Sequence, residues 1–494
     1  MSKKTGGVLT LAAMCGLSLF LFNCGSSSSR PSGLLYVVDG SKSQIDSFSI
    51  DLNSGNLSLI NTKATTCSTL TQSPQVFCGQ AVSMVLEPTQ QKTVFLLNEG
   101  VPCVPGVSCV NPCGPPNQAC TSIPPTIYGY TVNSDGSLSS PATPVIWGHP
   151  SSSSDTEDDA DTAVAMVQDA AGSFLFVINS GSTPTEANDY LSKCPYAPNS
   201  PPPPIAPTAN FDACPSISVF STTPGSTGAT LTGNDCPNTS NVCPYWLSRV
   251  PTALSVLTFT PPNGGTTQTL LFVTSKQDLT ANHNDNELSV FNVDMSSGNL
   301  TELSGSPYTT APNPTVVQAV NTNAAGQTIG GVFVYVGNKG SSGGSVSAFQ
   351  VCTVVGSQGG GQNCTQANDQ LIPIGTTSGA GSDPVAMVVD PTNSFLYTAS
   401  SGSNLVFAFK IATGTGLLST LTPASEPSQG SNPVALAMHP SSNTSNEFLF
   451  VSNQSSSSGS GNIGIFSVGV TSGSLSNPTT FMYQPGTPGA MVAK

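Results

Sequence analysis

An acidic segment is the most chemically suggestive stretch of the chain. It reads Asp155-Thr156-Glu157-Asp158-Asp159-Ala160-Asp161, and its candidate ligand residues are Asp155, Glu157, Asp158, Asp159 and Asp161. Clustered carboxylates on a loop can bind calcium, which takes roughly six to eight oxygen ligands. The spacing lacks the glycine and the terminal glutamate of a known calcium loop, so a solvated acidic loop is the competing interpretation. Calcium is therefore a possible ligand, and no cofactor is required.

A second polar segment contains one of only three histidines in the chain. His283 lies close in sequence to Asp278, Asp285 and Glu287. An imidazole beside carboxylates can act as a general base or as a metal ligand. The alternative is a histidine on a solvent-exposed loop. His283 and Asp285 are retained as candidate site residues.

The cysteines predict a disulfide framework. Of the 14 cysteines, Cys15 and Cys24 lie in the N-terminal segment, and an even number remains, as is typical of exported chains with disulfide bonds. Because neighbouring cysteines close short loops, we expect the pairs Cys67-Cys78, Cys103-Cys109, Cys113-Cys120, Cys194-Cys214, Cys236-Cys243 and Cys352-Cys364. Within Cys103–Cys120 the connectivity stays open, and a zinc site is the competing interpretation.

The N-terminus predicts export. Lys3 and Lys4 precede an uncharged apolar run, 8–22, which is typical of a secretory signal. The segment around Cys24 resembles a bacterial lipoprotein signal, in which this thiol carries lipid. We therefore expect a signal peptide over 1–23 and a lipidated Cys24 with a flexible tether over 24–32. The alternative is an ordinary secretory signal. Lipidation predicts a cell-envelope protein anchored to a bacterial membrane, at the outer membrane or cell surface, with membrane contact through the lipid only.

Composition excludes one class of partner. The formal net charge is −14, charged residues make up 8% of the chain, and the two arginines are Arg30 and Arg249. Nucleic-acid binding depends on clustered lysine and arginine side chains that neutralise phosphates. We therefore expect no nucleic-acid partner.

A repeated strand pattern predicts the fold. An apolar strand that ends in a small or polar residue recurs along the chain, and a second strand with an aromatic residue at a fixed place follows each copy. The apolar strands are Leu34–Asp39, Thr93–Asn98, Phe174–Asn179, Leu270–Ser275, Val332–Asn338, Phe395–Ser400 and Phe448–Asn453. Alternating apolar and polar positions with β-branched and aromatic residues are typical of strands. Several repeats then turn on a glycine into a third strand.

The last strand of the chain completes the pattern. A further strand, for example Asp383–Pro391, precedes every unit except the first, and its missing copy is Thr487–Lys494 at the C-terminus. The sequence therefore predicts an all-β fold, a seven-bladed β-propeller with four-stranded blades, closed by the C-terminal strand that joins the N-terminal blade. We expect 33–494 to form a single propeller domain.

The strand pattern of Asp383–Leu421 resembles the lactonase-type seven-bladed propellers, the group of 6-phosphogluconolactonase-like proteins. This resemblance covers nearly all of 33–494 and rests on blade-building residues, which specify architecture more than chemistry. It implies a sugar-lactone site served by a histidine-bearing stretch after an inner strand. The only histidine in a corresponding position is His439. The acidic, arginine-poor chain also argues against a phosphorylated substrate.

The long inserts indicate where function resides. Propeller topology places nearly all of them on one face, and only Cys352–Cys364 on the other; the inserts are Cys67–Cys78, Val101–Pro125, Trp147–Asp161, Gly181–Pro215, Gly233–Val250 and Ser275–Glu287. Loops on a rigid scaffold carry binding residues. The main prediction is an interaction module that binds a protein, peptide or glycan through this disulfide-stapled face. The alternative is a lactonase-like hydrolase acting on a neutral lactone or sugar, with metal assistance possible. No catalytic constellation is recognisable, and whether the chain is an enzyme stays open.

Overall fold

The computed structural model describes most of the predicted strands. The described residues are 32–41, 44–64, 81–99, 125–139, 141, 145–146, 163–180, 215–225, 230–232, 245–261, 266–278, 286–322, 331–340, 343–352, 356–357, 363–364, 371–439, 447–454, 460–483 and 486–494. Regular structure within these ranges is entirely β-strand. A search of the same residues for a helix long and apolar enough to span a bilayer finds none.

The strands fall into seven blades. Blade 1 contains β1 (Ser32–Asp39), β2 (Gln44–Asp51) and β3 (Leu57–Ala64). Blade 2 contains β4 (Ala81–Leu86), β5 (Thr93–Asn98), β6 (Thr126–Thr131) and β7 (Val145–Ile146). Blade 3 contains β8 (Ala163–Gln168), β9 (Phe174–Asn179), β10 (Ser216–Thr223), β11 (Thr230–Thr232) and β12 (Tyr245–Trp246). Blade 4 contains β13 (Arg249–Phe259), β14 (Gln268–Asp278), β15 (Glu287–Val293), β16 (Leu300–Glu302) and β17 (Tyr308–Thr309).

The remaining blades follow the same plan. Blade 5 contains β18 (Pro314–Asn321), β19 (Val332–Asn338), β20 (Ser345–Val351) and β23 (Leu371–Ser378), with a small separate hairpin of β21 (Gly356–Ser357) and β22 (Asn363–Cys364) between its last two strands. Blade 6 contains β24 (Pro384–Val389), β25 (Phe395–Ser400), β26 (Leu405–Ile411) and β27 (Leu418–Pro427). Blade 7 contains β28 (Pro433–His439), β29 (Glu447–Asn453), β30 (Gly461–Val468) and β31 (Leu475–Tyr483), and the last strand is β32 (Pro488–Ala493).

The C-terminal strand closes the ring, as predicted. The sheet order of blade 1 is β3-β2-β1-β32, so β32 supplies the inner strand of the blade that the N-terminus begins. Main-chain hydrogen bonds join Leu34 and Lys494 in both directions, at 2.9 and 2.8 Å. The fold is therefore the expected seven-bladed β-propeller, and the otherwise free edge of β1 is paired.

The core lies between adjacent blades. The second strand of most blades is buried at every position, as in β5, β9, β19, β25 and β29. Where this strand carries a central tyrosine, the hydroxyl donates to a main-chain carbonyl in the glycine turn of the next blade. The pairs are Tyr36 to Gly136 at 3.1 Å, and Tyr335 to Gly416 and Tyr397 to Gly473, each at 2.8 Å.

Two of these turns need glycine. The φ angle is +65° at Gly416 and +66° at Gly473, a region that favours a residue without a Cβ atom. A side chain at either position would also overlap a neighbouring phenylalanine ring, Phe333 or Phe395. The turn of one blade therefore packs directly on the second strand of the blade before it.

Three outcomes differ from the sequence expectation. The outer strands of blades 3 and 4 are each formed by two short pieces, β11 with β12 and β16 with β17. The inner hairpin of blade 4 is longer than predicted, since β13 and β14 have 11 residues each. Arg249, Asp278 and Glu287, which the sequence analysis assigned to inserts, lie in β13, β14 and β15. The physical reason is that the β13–β14 ladder continues across register shifts on both sides of Pro251, so pairing does not stop where the apolar pattern stops.

Candidate functional site

The residues singled out for calcium, general-base and lipid chemistry lie outside the described part of the chain. These are Cys24, Asp155, Glu157, Asp158, Asp159, Asp161, His283 and Asp285. The cysteines of the first five predicted disulfide pairs lie outside it as well. Cys352 is buried and its sulfur is not a free thiol, but the side chain of Cys364 is not described. All these assignments stay predictions.

The strand order does place the inserts. Because neighbouring strands are antiparallel, every connection that leaves the second strand of a blade, or leads from one blade to the next, emerges on the same face. The sequence ranges 65–80, 100–124, 147–162, 181–214 and 279–285 all start and end at strand termini on this face. We refer to it as the insert face. The predicted insert Gly233–Val250 differs, because 233–244 separates β11 from β12, the two pieces of the outer strand of blade 3. The β21–β22 hairpin starts from the end of β20, at the opposite face.

A charged cluster lies in blade 4, and two of its three members are at strand starts on the insert face. Arg249 opens the inner strand β13, and Glu287 opens β15, two strands further out. The Arg249 Nε atom is in contact with the Glu287 carboxylate, and its Nη1 atom lies 3.8 Å from Oε1 of Glu302 in β16. The exposed fractions of these side chains are 14% for Arg249, 21% for Glu287 and 26% for Glu302. The cluster is thus largely, but not completely, withdrawn from solvent.

The break in the outer strand of blade 4 holds the third member of this cluster. Between β16 and β17 the chain makes a turn in which the Ser306 amide donates to the Leu303 carbonyl at 2.9 Å. The Ser306 hydroxyl donates to Oε1 of Glu302 at 2.7 Å and accepts the Val290 amide of β15 at 3.0 Å. The carboxylate of Glu302 is therefore tied to the backbone of the neighbouring strand through a single serine.

The chemistry of the cluster follows from its charges. Two carboxylates surround one guanidinium, so the group carries one net negative charge. A partly desolvated guanidinium can stabilise an oxygen on which negative charge develops, and a carboxylate beside it can accept a proton from water. Arginine and carboxylate pair well because the planar guanidinium presents its donors in fixed directions. Arrangements of this kind suit hydrolysis at a carbonyl carbon.

Other buried polar groups have structural roles. At the junction of blades 7 and 1, the Tyr483 hydroxyl donates to Asp46, which also accepts from Thr62 Oγ1 at 2.7 Å. Asp390 caps the turn after β24 by accepting the amides of Ser394 and Phe395 at 2.7 and 2.6 Å. Within the described residues, no three histidine, cysteine, aspartate or glutamate side chains are grouped as metal ligands.

Sequence reasoning overlooked this cluster for a definable reason. Arg249 is conspicuous as the single arginine of 33–494 in a chain with 26 acidic residues, and this rarity was the available signal. Glu287 was grouped by sequence with His283, whereas the structure places it against Arg249. Glu302 gives no local signal, because its contact with Arg249 depends on how β16 pairs with β15.

Comparison with known proteins agrees with the fold. Residues 366–491 match the family model described as lactonase, 7-bladed beta-propeller. A sequence comparison with curated proteins finds no match.

Solved structures resemble nearly the whole ring. A candidate 6-phosphogluconolactonase from Bacteroides fragilis is similar at 14% identity and a TM-score of 0.53, over 95% of this chain and 100% of that chain. The periplasmic gluconolactonase PpgL of Pseudomonas aeruginosa is similar at 16% identity and a TM-score of 0.54, over 94% of this chain and 98% of that chain. A candidate 6-phosphogluconolactonase from Bacteroides uniformis gives 12% identity and a TM-score of 0.54, over 94% and 99% of the two chains. The predicted resemblance is thus confirmed: the chain has the fold of the lactonase-type seven-bladed β-propellers and carries the sequence pattern of that family over residues 366–491.

Proposed function

We propose that this propeller is a lactonase-like hydrolase whose site is built on Arg249, Glu287 and Glu302. The observation that carries the proposal is the partly desolvated guanidinium held between two carboxylates, with Arg249 and Glu287 at strand starts on the insert face. The likeness of the ring to a structure named as a periplasmic gluconolactonase supports the reaction class. Catalytic residues on loops and strand ends of a rigid scaffold are a common arrangement.

Each of the three side chains has a separate role in the proposed hydrolysis. The Arg249 guanidinium donates to the carbonyl oxygen of the lactone and stabilises the oxyanion of the tetrahedral intermediate. Glu302, the most exposed of the three, takes a proton from the attacking water. The ring C–O bond then breaks, and the ring oxygen becomes a hydroxyl as it receives the proton that Glu302 took from water. The product is a hydroxy acid that ionises, and Glu302 returns to its carboxylate form. Glu287 holds the guanidinium by its Nε atom.

The charge of the cluster selects the substrate class. A site with one net negative charge, in a chain of net charge −14, disfavours phosphorylated or carboxylated lactones. A neutral aldonolactone can approach the guanidinium without repulsion from Glu287 and Glu302. We therefore propose a neutral sugar lactone as the substrate class.

Hydrolysis of D-glucono-1,5-lactone and of its 6-phosphate by the full chain tests this proposal. We expect acid release with the neutral lactone, little with the phosphate, and a loss of about 100-fold in kcat/KM for Glu302→Gln, the range of a general-base contribution. Lys339→Met is the matched control, because it removes a second charge pair of the insert face, Lys339–Asp383 at 2.7 Å. Full activity in Glu302→Gln and in Arg249→Lys would exclude this site.

We further propose export, lipidation at Cys24 and the six disulfide pairs of the sequence analysis. The basic and apolar N-terminal pattern and the even cysteine count support these assignments. Intact-mass analysis of the membrane fraction tests them together. We expect an acylated chain that begins at Cys24 and takes up no alkylating reagent before reduction. The Cys24→Ser variant is the control, and we expect it in the soluble fraction.

A second candidate function is an interaction module on the insert face. It is favoured by the strand order, which gathers the long inserts on one face, and it would take a protein, peptide or glycan partner. Calcium binding by the acidic segment belongs to this proposal. Calcium titration followed by thermal melting tests it, since a ligand of the folded state raises stability by mass action. A calcium-dependent shift lost in an Asp155→Asn, Asp158→Asn, Asp159→Asn variant supports the site, and an unchanged melting temperature contradicts it.

A further inference from the structure

Ser306 adds a side-chain link between β15 and β16 of blade 4, which also pair through their main chains. Its hydroxyl oxygen accepts the Val290 amide at 3.0 Å, and the same hydroxyl donates to Oε1 of Glu302 at 2.7 Å. Glu302 in turn lies 3.8 Å from the Arg249 guanidinium. A hydroxyl has one proton, so acceptance from Val290 leaves that proton to be directed at Glu302.

The interrupted outer strand makes this contact available. Leu303 still pairs with β15 through its amide, which donates to the Val290 carbonyl at 2.9 Å. The chain then turns before β17 begins at Tyr308. In this turn Ser306 faces the β15 backbone. Its hydroxyl accepts the Val290 amide, in place of the main-chain carbonyl that a continuous outer strand would have supplied.

We propose that Ser306 is a positioning residue that fixes the Glu302 carboxylate relative to Arg249. This inference rests on the proposed hydrolase site and assigns to that site a residue that does not touch the substrate. Without the hydroxyl, Glu302 is free to rotate about its side-chain torsions, and the distance from its oxygen to the guanidinium is no longer set by the β15 backbone. Misplacement of a catalytic group by a small distance lowers turnover more than substrate binding.

Kinetics of Ser306→Ala and Ser306→Thr form the first half of the test. We expect Ser306→Ala to lower kcat by about ten-fold with KM nearly unchanged, in line with the loss of one hydrogen bond to a charged group. Ser306→Thr keeps the hydroxyl, and we expect it to restore most of that kcat. Equal loss in both variants, or a change confined to KM, overturns the proposal.

Arginine labelling forms the second half and needs no substrate. The chain has two arginines, Arg30 and Arg249, so a dicarbonyl reagent read out by peptide mass spectrometry reports on Arg249, with Arg30 as an internal reference. We expect Ser306→Ala to raise the Arg249 labelling rate several-fold at an unchanged melting temperature, and Ser306→Thr to leave it at the wild-type value. An unchanged rate in Ser306→Ala refutes the positioning role. If no lactone is hydrolysed but the labelling rate still rises, the proposed function fails while the positioning of Glu302 against Arg249 by Ser306 stands.

Discussion

The His439 imidazole lies against Gly33, where any side chain would overlap it, so the inner strand of blade 7 packs on the start of β1. The next residue of β1, Leu34, exchanges main-chain hydrogen bonds with Lys494 at the end of the chain. Blade 7, the start of blade 1 and the end of the chain therefore meet at one buried histidine, which is 4% exposed.

Acid should weaken this junction. Burial lowers the pKa of His439 below its ordinary value of 6.5, although the main chain of Lys494 opposes the shift. Because the folded-state pKa is lowered, the stability that depends on the neutral imidazole is complete above pH 6.5 and is lost as pH falls through the folded-state pKa. We expect the melting temperature to fall over this range in the wild type, and to fall less in His439→Gln. Identical pH profiles of the two proteins would contradict the assignment.

Glu447 should have the opposite pH dependence to His439, so that its contribution to stability is lost as the pH rises. Burial first, and the neighbouring Asp390 second, raise the pKa of Glu447 above its ordinary value of 4.5. A raised folded-state pKa means that the contribution of the protonated form to stability is present below pH 4.5 and is lost as pH rises through the folded-state pKa. Glu447→Gln should therefore raise the melting temperature at pH 7 by about 1–2 °C, a small shift because the domain is large. Differential scanning calorimetry at pH 4 and pH 7 checks this, and the gain should vanish at pH 4.

The hydrogen bond from Tyr483 to Asp46 at the ring junction should contribute more to the free energy of unfolding than a tyrosine hydrogen bond to an uncharged acceptor. Tyr483→Phe leaves a buried oxygen of Asp46 without its donor, whereas Tyr335→Phe removes a hydrogen bond to the uncharged carbonyl of Gly416. We expect losses of about 1.5–3 kcal/mol for the first and ~1 kcal/mol for the second in urea unfolding. Equal losses would show that the charge of Asp46 adds nothing to the strength of this hydrogen bond.

A side chain should cost more at a glycine turn that packs on the preceding blade than at an open glycine turn. At Gly473, φ is +66° and a methyl group would overlap the Phe395 ring. At Gly379, φ is +87° and nothing lies within 4 Å of the position that a Cβ atom would take. Gly379→Ala therefore measures the backbone strain alone, about 1 kcal/mol, and Gly473→Ala should cost about 2 kcal/mol more because it also disturbs the packed core. Comparable melting temperatures for the two variants would refute the packing argument.

The fold was accessible from sequence because each blade repeats the same physical pattern. Runs such as Phe395–Ser400 are buried along their whole length, and their mostly apolar composition indicates this burial. The closing strand was predictable because one inner strand was missing at the start and one was left over at the end. The broken outer strands were not, since pieces as short as β16 and β17 carry no periodic signal.

The candidate site was harder to predict from the sequence than the fold. Arg249 lies in an extension of β13 beyond its apolar run, and its pairing with Glu287 depends on a ladder that passes register shifts at Pro251. Ser306 contacts Glu302 only because the outer strand is interrupted between them. Both features depend on tertiary pairing, which local composition does not encode.

The closure of blade 1 also dictates when the protein can be completed during synthesis. Asp46 and Tyr483, which meet at this junction, are 437 positions apart in the chain. A ribosome makes the N-terminal strands first, yet β1 has no inner partner until β32 has emerged. Blades 2 to 7 can form in order as they are produced, whereas blade 1 must wait with an open strand edge. Contacts of such long sequence separation slow folding, so the last step in the maturation of this ring is the completion of its first blade.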